Sequence, residues 1–522
     1  MGKTIVYQIL PRLWGNLADN PVPGGSLELN GCGKFSGVDV RTLEWLRDEM
    51  RVTHVWYTGV IRHATTEAFD GCPASSGAVV KGLAGSPYAI TDYFDVNPYL
   101  ADDPTDRMGE FELLLKRTHD SGLKAVIDFV PNHVSRDYGK VGLVRDAAGG
   151  TLGRNDDVSF HWSPDNDFYY YPGQSLVLPS GGRYYENPAK ASGNCFSPSP
   201  GENDWYETVR LNYCDFHTGT WDKMLQIARY WCLKGVDGFR CDMVEMVPWQ
   251  FMKWLISKIK DEFPEVIFIA EVYRKDLYRM YIEEVGFDFL YDKTGLYDTL
   301  RSVVVDGSTA RGITWNWQSL GDLQPRMLNF LENHDERRFA SDFFGGDPLR
   351  AASSLCVGLM LNDSAYMLYS GQEVGERGMD AEGFSGLDGR TTIFDWWSAG
   401  SSRRLYQHIH DCEGLTDREI DTLRLYRETL ALASDPRMAG GKTYDLCYCN
   451  NGSAGFDPDR CFAFLRGGAD GVSLLVCDFS GTDSIVSVRI PQEAFGFFGV
   501  NKTETLEVSV SVKAYGYSVL PV

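Results

Sequence analysis

Eight short runs of β-branched and aromatic residues alternate along this chain with stretches in which apolar residues recur every three or four positions. The runs cover residues 5–9, 52–57, 124–130, 236–240, 266–270, 287–291, 327–331 and 365–369, and helical stretches include 107–120, 221–233, 249–263 and 349–361. Eightfold strand and helix alternation is typical of a closed parallel barrel. No glycine-rich dinucleotide motif follows the first run, which disfavours an open doubly wound sheet. We therefore predict an α/β fold with a (β/α)8 TIM barrel.

Two segments depart from this alternation. Residues 134–205 are rich in Gly, Asn, Asp, Pro and Tyr, and they are too long for a barrel loop, so we predict an inserted subdomain after the third strand. Strand-like runs at 460–465, 472–477, 484–490, 506–512 and 514–520 predict a C-terminal antiparallel β-sandwich domain. The predicted domains are the barrel (1–133 and 206–434), the insert (134–205) and the β domain (435–522).

Composition narrows the class of partner. The chain has 522 residues with 50 Lys plus Arg against 72 Asp plus Glu, a formal net charge of −22, which would repel phosphate backbones and anionic lipid. We therefore expect no nucleic-acid or membrane partner, whereas a neutral or cationic ligand fits; the oligomeric state stays open. No apolar run approaches the roughly 18 residues of a membrane span. Several cysteines lie inside apolar runs and no signal peptide is evident, which predicts a cytoplasmic protein.

Acidic residues follow four of the eight runs. Active sites of TIM barrels lie at the C-terminal ends of the strands, so these positions are the first candidates for chemistry. The acids are Asp128, Asp242, Glu271 and Asp335. A single acid at a strand end is more often part of a salt bridge or a turn, but four on one rim favour a catalytic site.

The surroundings of two of these acids differ in the sequence. Arg240 and Asp242 are two residues apart in a strand and share a face, so the arginine is expected to keep Asp242 ionised. Glu271 ends the wholly apolar run 266–270, which favours a protonated acid. An ionised nucleophile beside a proton donor is the requirement of a retaining glycosidase, whose two carboxyl groups lie about 5–5.5 Å apart.

At this point the ordered motifs resemble those of the α-amylase family, glycoside hydrolase family thirteen. The matching stretches are Asp128 to His133, Gly238 to Asp242, Phe268 to Glu271, Asn333 to Asp335 and Ser86 to Tyr93. The resemblance implies that Asp242 is the nucleophile, Glu271 the general acid/base and Asp335 a third carboxylate that grips sugar hydroxyls. It also implies that Tyr88, His133, Arg240 and His334 line the subsite that holds the attacked sugar, and that Asp128 and Asn132 are structural.

Two departures from the family pattern concern the acceptor side and a metal. Many members have Lys and His at the positions of Glu245 and Met246, so acceptor binding is expected to be altered. That His and an acid at the position of Arg210 commonly help to hold calcium, and a thioether and a cation are poor ligands for an ion that prefers oxygen. No cofactor is required by the resemblance; calcium is an option, but its usual site looks degraded, and we assign no metal ligand.

The resulting expectation is a retaining α-glycoside hydrolase acting on α-glucans or malto-oligosaccharides, such as starch-derived maltodextrins, through a glycosyl-aspartate intermediate. One alternative is an α-glucan transglycosylase that uses the same acids but a sugar acceptor. A second is a catalytically inactive sugar-binding scaffold, against which the presence of all three acids argues. A third, a sugar-phosphate enzyme, would need a phosphate cradle where the acidic stretch Asn333 to Glu336 stands.

Overall fold

The computed structural model describes residues 2–139, 151–468 and 471–522 and contains a closed barrel of eight parallel strands. The strands are Ile5–Ile9, His54–Tyr57, Lys124–Phe129, Gly238–Cys241, Ile267–Ala270, Phe289–Tyr291, Met327–Phe330 and Ala365–Tyr369. Each strand pairs with its neighbours in chain order, and the eighth pairs with the first. All eight predicted runs are therefore barrel strands, which confirms the TIM barrel.

Helices cover the outside of the barrel. The principal ones are Val40–Asp48, Arg107–Asp120, Gly219–Leu233, Trp249–Glu262, Asp298–Val305, Arg311–Leu320, Ala352–Met360, Gly400–Asp411 and Asp417–Ala433. The predicted stretch 349–361 instead begins as a tight turn, Pro348–Ala351, before the α-helix. The last helix starts at a capping box, in which Thr416 and Glu419 each satisfy a free backbone N–H of the other.

The predicted insert leaves the barrel after the third strand. The pair His133–Ser135 and Thr208–Arg210 forms a short antiparallel ladder at its base, and a second ladder joins Tyr170–Tyr171 to Ala189–Lys190. Residues 140–150 of this segment lie outside the described residues. The base ladder places the end of the insert beside the barrel rim, since His133 pairs with Arg210.

An antiparallel β domain follows the helix Asp417–Ala433, as predicted. Its sheets comprise Lys442–Asp445, Cys461–Gly468, Gly471–Asp478 and Tyr517–Pro521 in one, and Ser484–Ile490 with Leu506–Val512 in the other. The short helix Gln492–Phe498 between the last two strands was not predicted. It buries Phe495 and Phe498 in a core between the sheets that is separate from the barrel core.

One apolar core runs through the barrel and its helices. Phe239 of the fourth strand is fully buried, and its ring centroid lies 5.9 Å from that of Phe129 and 5.6 Å from that of Phe268. Adjacent strands are therefore held by edge-to-face and tilted ring contacts as well as by backbone hydrogen bonds. Among the described residues, no helix is both long and apolar enough to cross a bilayer.

Candidate active site

A cavity of about 240 Å³ opens at the C-terminal end of the barrel. Its walls come from the ends of the barrel strands, the loops that follow them and the end of the insert. The lining residues are Lys81, Ser86, Tyr88, His133, Trp205, Glu207, Thr208, Asp242, Met243, Glu271, Tyr273, Asp335, Ile393 and Phe394. The three acids assigned as catalytic thus face one hollow, although 93 residues of sequence separate Asp242 from Asp335.

Arg240 is the centre of this site. It belongs to the strand Gly238–Cys241 and is fully buried. Its Nη1 donates to Asp242 Oδ1 at 2.7 Å, its Nη2 lies 2.9 Å from Glu271 Oε2, and the same Nη2 lies 4.0 Å from Asp335 Oδ2. Because adjacent nitrogens of one planar guanidinium contact Asp242 and Glu271, the two carboxyl groups are held side by side.

Three aromatic rings hold the guanidinium in place. Its central carbon lies 5.4 Å from the Trp56 ring, 5.5 Å from that of Tyr88 and 5.4 Å from that of Tyr291, and its Nε donates to the Tyr291 hydroxyl at 3.2 Å. Cation–π contacts of this kind strengthen when they are removed from water. Arg240 is therefore a rigid, permanently charged support for the acids.

The electrostatic environment of Asp242 differs from the expectation based on the sequence. Arg240 was expected to keep Asp242 ionised, but burial and the neighbouring Glu271 carboxylate raise the pKa of Asp242 well above its usual value, and Arg240 only opposes them. That expectation was wrong because the arginine is shared: it contacts Glu271 as well as Asp242, so the two acids do not have separate environments.

The pKa of Asp335 is shifted in the opposite direction to that of Asp242. Burial acts to raise its pKa, but His334 and Arg240 outweigh burial and lower the pKa to about 2. His334 Nε2 lies 2.9 Å from Asp335 Oδ2, and its Nδ1 lies 2.7 Å from Gln8 Nε2. The Tyr88 hydroxyl also contacts Nε2.

Glu271 has two further partners that sequence reasoning missed. The Tyr273 hydroxyl donates to Glu271 Oε1 at 2.6 Å, and the Met243 backbone N–H donates to Oε2 at 2.9 Å. Tyr273 follows Glu271 by two residues in the loop after the strand Ile267–Ala270, where strand periodicity gives no signal. Met243 gave none either, because its donor is backbone and depends on a left-handed φ of 44° directly after Asp242.

His133 lies on the wall formed by the insert. Its ring centroid is 5.2 Å from that of Trp205, and its Nδ1 is 3.2 Å from Asn132 Nδ2. Burial, with smaller contributions from Arg210 and Lys81, lowers the pKa of His133 to about 3. The imidazole is therefore neutral at ordinary pH and able to share hydrogen bonds with hydroxyl groups.

The structure brings all seven assigned residues together. Tyr88, His133, Asp242, Glu271 and Asp335 line the cavity. Arg240 and His334 lie directly behind it, with both side chains fully buried, so they orient the lining residues. Asp128 accepts from the Gly59 N–H at 3.1 Å, as expected of a structural acid. The catalytic and sugar-binding roles of the seven residues stay predictions.

Arg210 and Asn132, which stand at sequence positions linked with calcium in the family, bond to backbone carbonyl groups. Arg210 Nη1 donates to the Gly193 carbonyl at 3.0 Å and its Nη2 donates to the Met246 carbonyl at 2.8 Å. Asn132 Nδ2 donates to the same Gly193 carbonyl at 2.9 Å. A guanidinium among these oxygens repels a divalent cation and no carboxylate ligand joins them, so these residues do not fit calcium. No cluster of three or more metal-ligating side chains was found in the described parts of the chain.

Comparison with known proteins identifies one family of similar sequences. The family model for the alpha-amylase catalytic domain matches residues 8–419. A cyclomaltodextrin glucanotransferase of Geobacillus stearothermophilus is 25% identical over 396 residues, which is 71% of this chain and 49% of that protein. The alpha-amylase MalA of Haloarcula japonica is 28% identical over 383 residues, 72% of this chain and 44% of the relative. The chain thus spans about half the length of these curated relatives.

Solved structures agree on the fold. The cyclic alpha-maltosyl-(1→6)-maltose hydrolase of Arthrobacter globiformis superposes with a TM-score of 0.65 at 18% identity, covering 99% of this chain and 98% of that one. A maltogenic alpha-amylase, AmyB, of Thermotoga neapolitana gives 0.59 at 19% identity, covering 99% and 96%. At these identities the likeness concerns architecture alone.

Proposed function

Because this chain belongs to the alpha-amylase family, we propose that it is a retaining α-glycoside hydrolase that acts on α-glucans or malto-oligosaccharides through a covalent glycosyl-Asp242 intermediate. One observation carries the proposal: a single buried guanidinium, Arg240, contacts both Asp242 and Glu271 at a cavity that Asp335 also lines. Side-by-side carboxyl groups suit direct attack by one of them, whereas inversion needs room for a water molecule between sugar and base.

In the first step an Asp242 oxygen attacks the anomeric carbon and forms the glycosyl ester. Glu271 gives its proton to the departing glycosidic oxygen, which takes the electron pair of the broken bond. Positive charge develops on the sugar ring, and the Asp335 carboxylate, which stays ionised because its pKa is about 2, stabilises that charge.

In the second step Glu271 acts as a base. It takes a proton from water, the hydroxide oxygen attacks the anomeric carbon, and Asp242 leaves as a carboxylate. The Tyr273 hydroxyl and the Met243 N–H, which donate to the two Glu271 oxygens, keep that carboxyl group in position through both steps. Two inversions at one carbon retain the anomeric configuration.

Proton placement is set when the sugar binds. In the protein without a bound sugar, burial and the neighbouring Glu271 carboxylate raise the pKa of Asp242 and favour its protonated form. The reaction needs that proton on Glu271 and a bare Asp242. Positive charge developing at the anomeric carbon stabilises the ionised Asp242, so the substrate itself favours the productive arrangement.

Three measurements test the proposal. Asp242→Asn should abolish turnover of maltoheptaose, and a slow fluorinated glucosyl fluoride should leave a sugar mass on the peptide that contains Asp242. Proton NMR of the first product should show the α-anomer. Full activity of the Asn variant, or a β-anomeric first product, would reject the assignment.

Transfer to a sugar acceptor is the second candidate, and one observation favours testing it. The Glu245 carboxylate, at a position where many members have Lys, accepts from the Tyr273 and Arg274 backbone N–H groups at 3.0 and 3.2 Å. This side chain is therefore committed to the loop after Glu271 and does not provide the usual acceptor contact. Product chromatography with excess maltotriose separates the two candidates: longer oligosaccharides indicate transfer, and glucose or maltose alone indicates hydrolysis.

We also propose that the site works without calcium at the family position, because the Arg210 guanidinium provides the positive charge there. It joins the insert, at Gly193, to the turn after Asp242, at Met246. The melting temperature should not change with EDTA or calcium, whereas Arg210→Met should lower it. Arg183→Met provides a control from the same insert. An EDTA-sensitive melting temperature in the unmodified protein would contradict this proposal.

A cytoplasmic location is proposed on the cysteines. All twelve are free thiols in the structure, and seven of them are buried. When cell fractions are lysed and unfolded in an alkylating reagent, all twelve cysteines of the protein should be alkylated. Cysteines that are protected by pairing would indicate an oxidising compartment.

A further inference from the structure

One wall of the cavity contains a buried ion pair that the mechanism does not use. Lys81 Nζ lies 3.1 Å from Glu207 Oε1, and the two side chains are 11% and 5% exposed. Both residues line the cavity. Lys81 follows the second barrel strand, whereas Glu207 directly precedes the strand Thr208–Arg210 at the end of the insert. The pair therefore joins barrel and insert at the wall where the sugar is expected to lie.

Stability alone is a weak reason for such a pair. Removing two charges from water costs about as much as their attraction returns, and apolar residues of similar volume often serve a wall equally well. The Lys81 ammonium has three N–H donors; one Glu207 oxygen lies 3.1 Å from it, and the centre of the Tyr206 ring lies 5.5 Å away. On a cavity wall this geometry leaves a charged donor for an oxygen atom of a bound molecule.

The charge around the cavity selects a neutral molecule. The acidic side chains that line the cavity are Asp242, Glu271, Asp335 and Glu207, and the lining cation is Lys81. His133 adds no positive charge, because burial lowers its pKa to about 3. Acids therefore outnumber cations, so a phosphate or carboxylate on the substrate would be repelled, while a hydroxyl group would be accepted.

We propose that Lys81, oriented by Glu207, donates a hydrogen bond to one hydroxyl group of the neutral sugar held at the catalytic acids, and so selects unsubstituted sugars that carry this hydroxyl. This inference rests on the function proposed above.

The test uses Lys81→Met, which keeps the length of the side chain and removes the donor, with a set of monodeoxy maltosides. A charged hydrogen bond to a hydroxyl predicts a loss of about 10- to 100-fold in kcat/KM on maltoside. Removal of one particular hydroxyl group from the maltoside should lower kcat/KM of the unmodified enzyme by a similar factor. The same removal should not lower kcat/KM of Lys81→Met any further. Glu207→Gln, which leaves the ammonium without its charged partner, should show part of the same loss at the same position.

Lys190→Met is the matched control. Lys190 is also partly buried, lies 3.7 Å from Glu186 and 6.0 Å from the Tyr170 ring, and does not line the cavity, so kcat/KM should stay at the unmodified value. Two results would overturn the assignment: an equal loss by Lys81→Met at every deoxy position, or a preference for a phosphorylated disaccharide that Lys81→Met removes.

Calorimetry separates this inference from the proposed function. Maltose is titrated into Asp242→Asn and into Asp242→Asn with Lys81→Met, so that no turnover occurs. We expect binding by the first variant and about 10-fold weaker binding by the second. Equal binding by both would refute only the role of Lys81, whereas no binding by the first would refute the proposed function itself.

Discussion

Replacing Asp242 by asparagine should stabilise the fold while it removes turnover. The Asp242 side chain is 8% exposed, and burial together with the Glu271 carboxylate raises its pKa well above the usual value. One guanidinium serves two acids at almost equal distances, 2.7 Å to Asp242 and 2.9 Å to Glu271. Ionised Asp242 is therefore disfavoured in the folded protein, and an amide of the same shape removes that cost.

The direction of the stability change in Asp242→Asn, and its dependence on pH, follow from proton linkage. A raised pKa means that the folded protein binds this proton more tightly than the unfolded chain does, so the stability of the unmodified protein falls as pH rises from about 4 through the raised pKa. Because the raised pKa makes ionised Asp242 unfavourable in the folded protein at pH 7, we expect Asp242→Asn to have the higher melting temperature at that pH. Below about pH 4 both states hold the proton, and this difference should vanish.

Scanning calorimetry at one fixed scan rate between pH 4 and 8 measures the gap in melting temperature between Asp242→Asn and the unmodified protein. In the same variant, kcat on maltoheptaose should fall at least about 1,000-fold. Asp335→Asn is the control of opposite sign. The pKa of Asp335 is lowered to about 2, so its charge stabilises the fold above about pH 4 and ceases to do so as pH falls through 2. A melting temperature of Asp242→Asn below that of the unmodified protein at pH 7, or a gap that does not change with pH, would refute the reasoning.

Three further outcomes are expected. Tyr273→Phe removes the donor to Glu271 Oε1 and should lower kcat about 10-fold with little change in melting temperature, measured by steady-state kinetics; an unchanged kcat would exclude a positioning role. Arg240→Lys replaces a two-nitrogen fork by one ammonium and should cost more than 100-fold in kcat/KM, and recovery of full activity would show that charge alone suffices. Phe239→Ala empties a fully buried site between two rings and should cost about 3–5 kcal/mol in denaturant unfolding; a loss below about 1 kcal/mol would mean that the barrel core closes around the gap.

Strand positions were predictable because each barrel strand is a short apolar run whose pattern is complete within the run. Strand ends moved by up to two residues, as at Gly238–Cys241, where pairing with neighbouring strands decides the boundary. The helix Gln492–Phe498 was missed, since seven residues with an internal glycine carry little periodic signal and are held by packing against the β domain. Positions of the acids at the strand ends followed directly from the strand assignments.

Charge states within the site could not be predicted in the same way. Local spacing correctly placed Arg240 beside Asp242, but it gave no indication that Glu271 would contact the same guanidinium. The environment of Asp242 was therefore misjudged. Lys81 and Glu207 are 126 positions apart, and no local pattern connects them.

By itself, the sequence determined the barrel, the rim on which the chemistry lies and the identity of its acids, because strand periodicity and residue type act over a few neighbouring positions. Only the tertiary structure decided how these acids share one positive charge, which backbone N–H group supports Glu271, and which carbonyl groups the Arg210 guanidinium contacts. Those properties depend on burial and on charges summed over distances in space, to which residues far apart in the chain contribute equally.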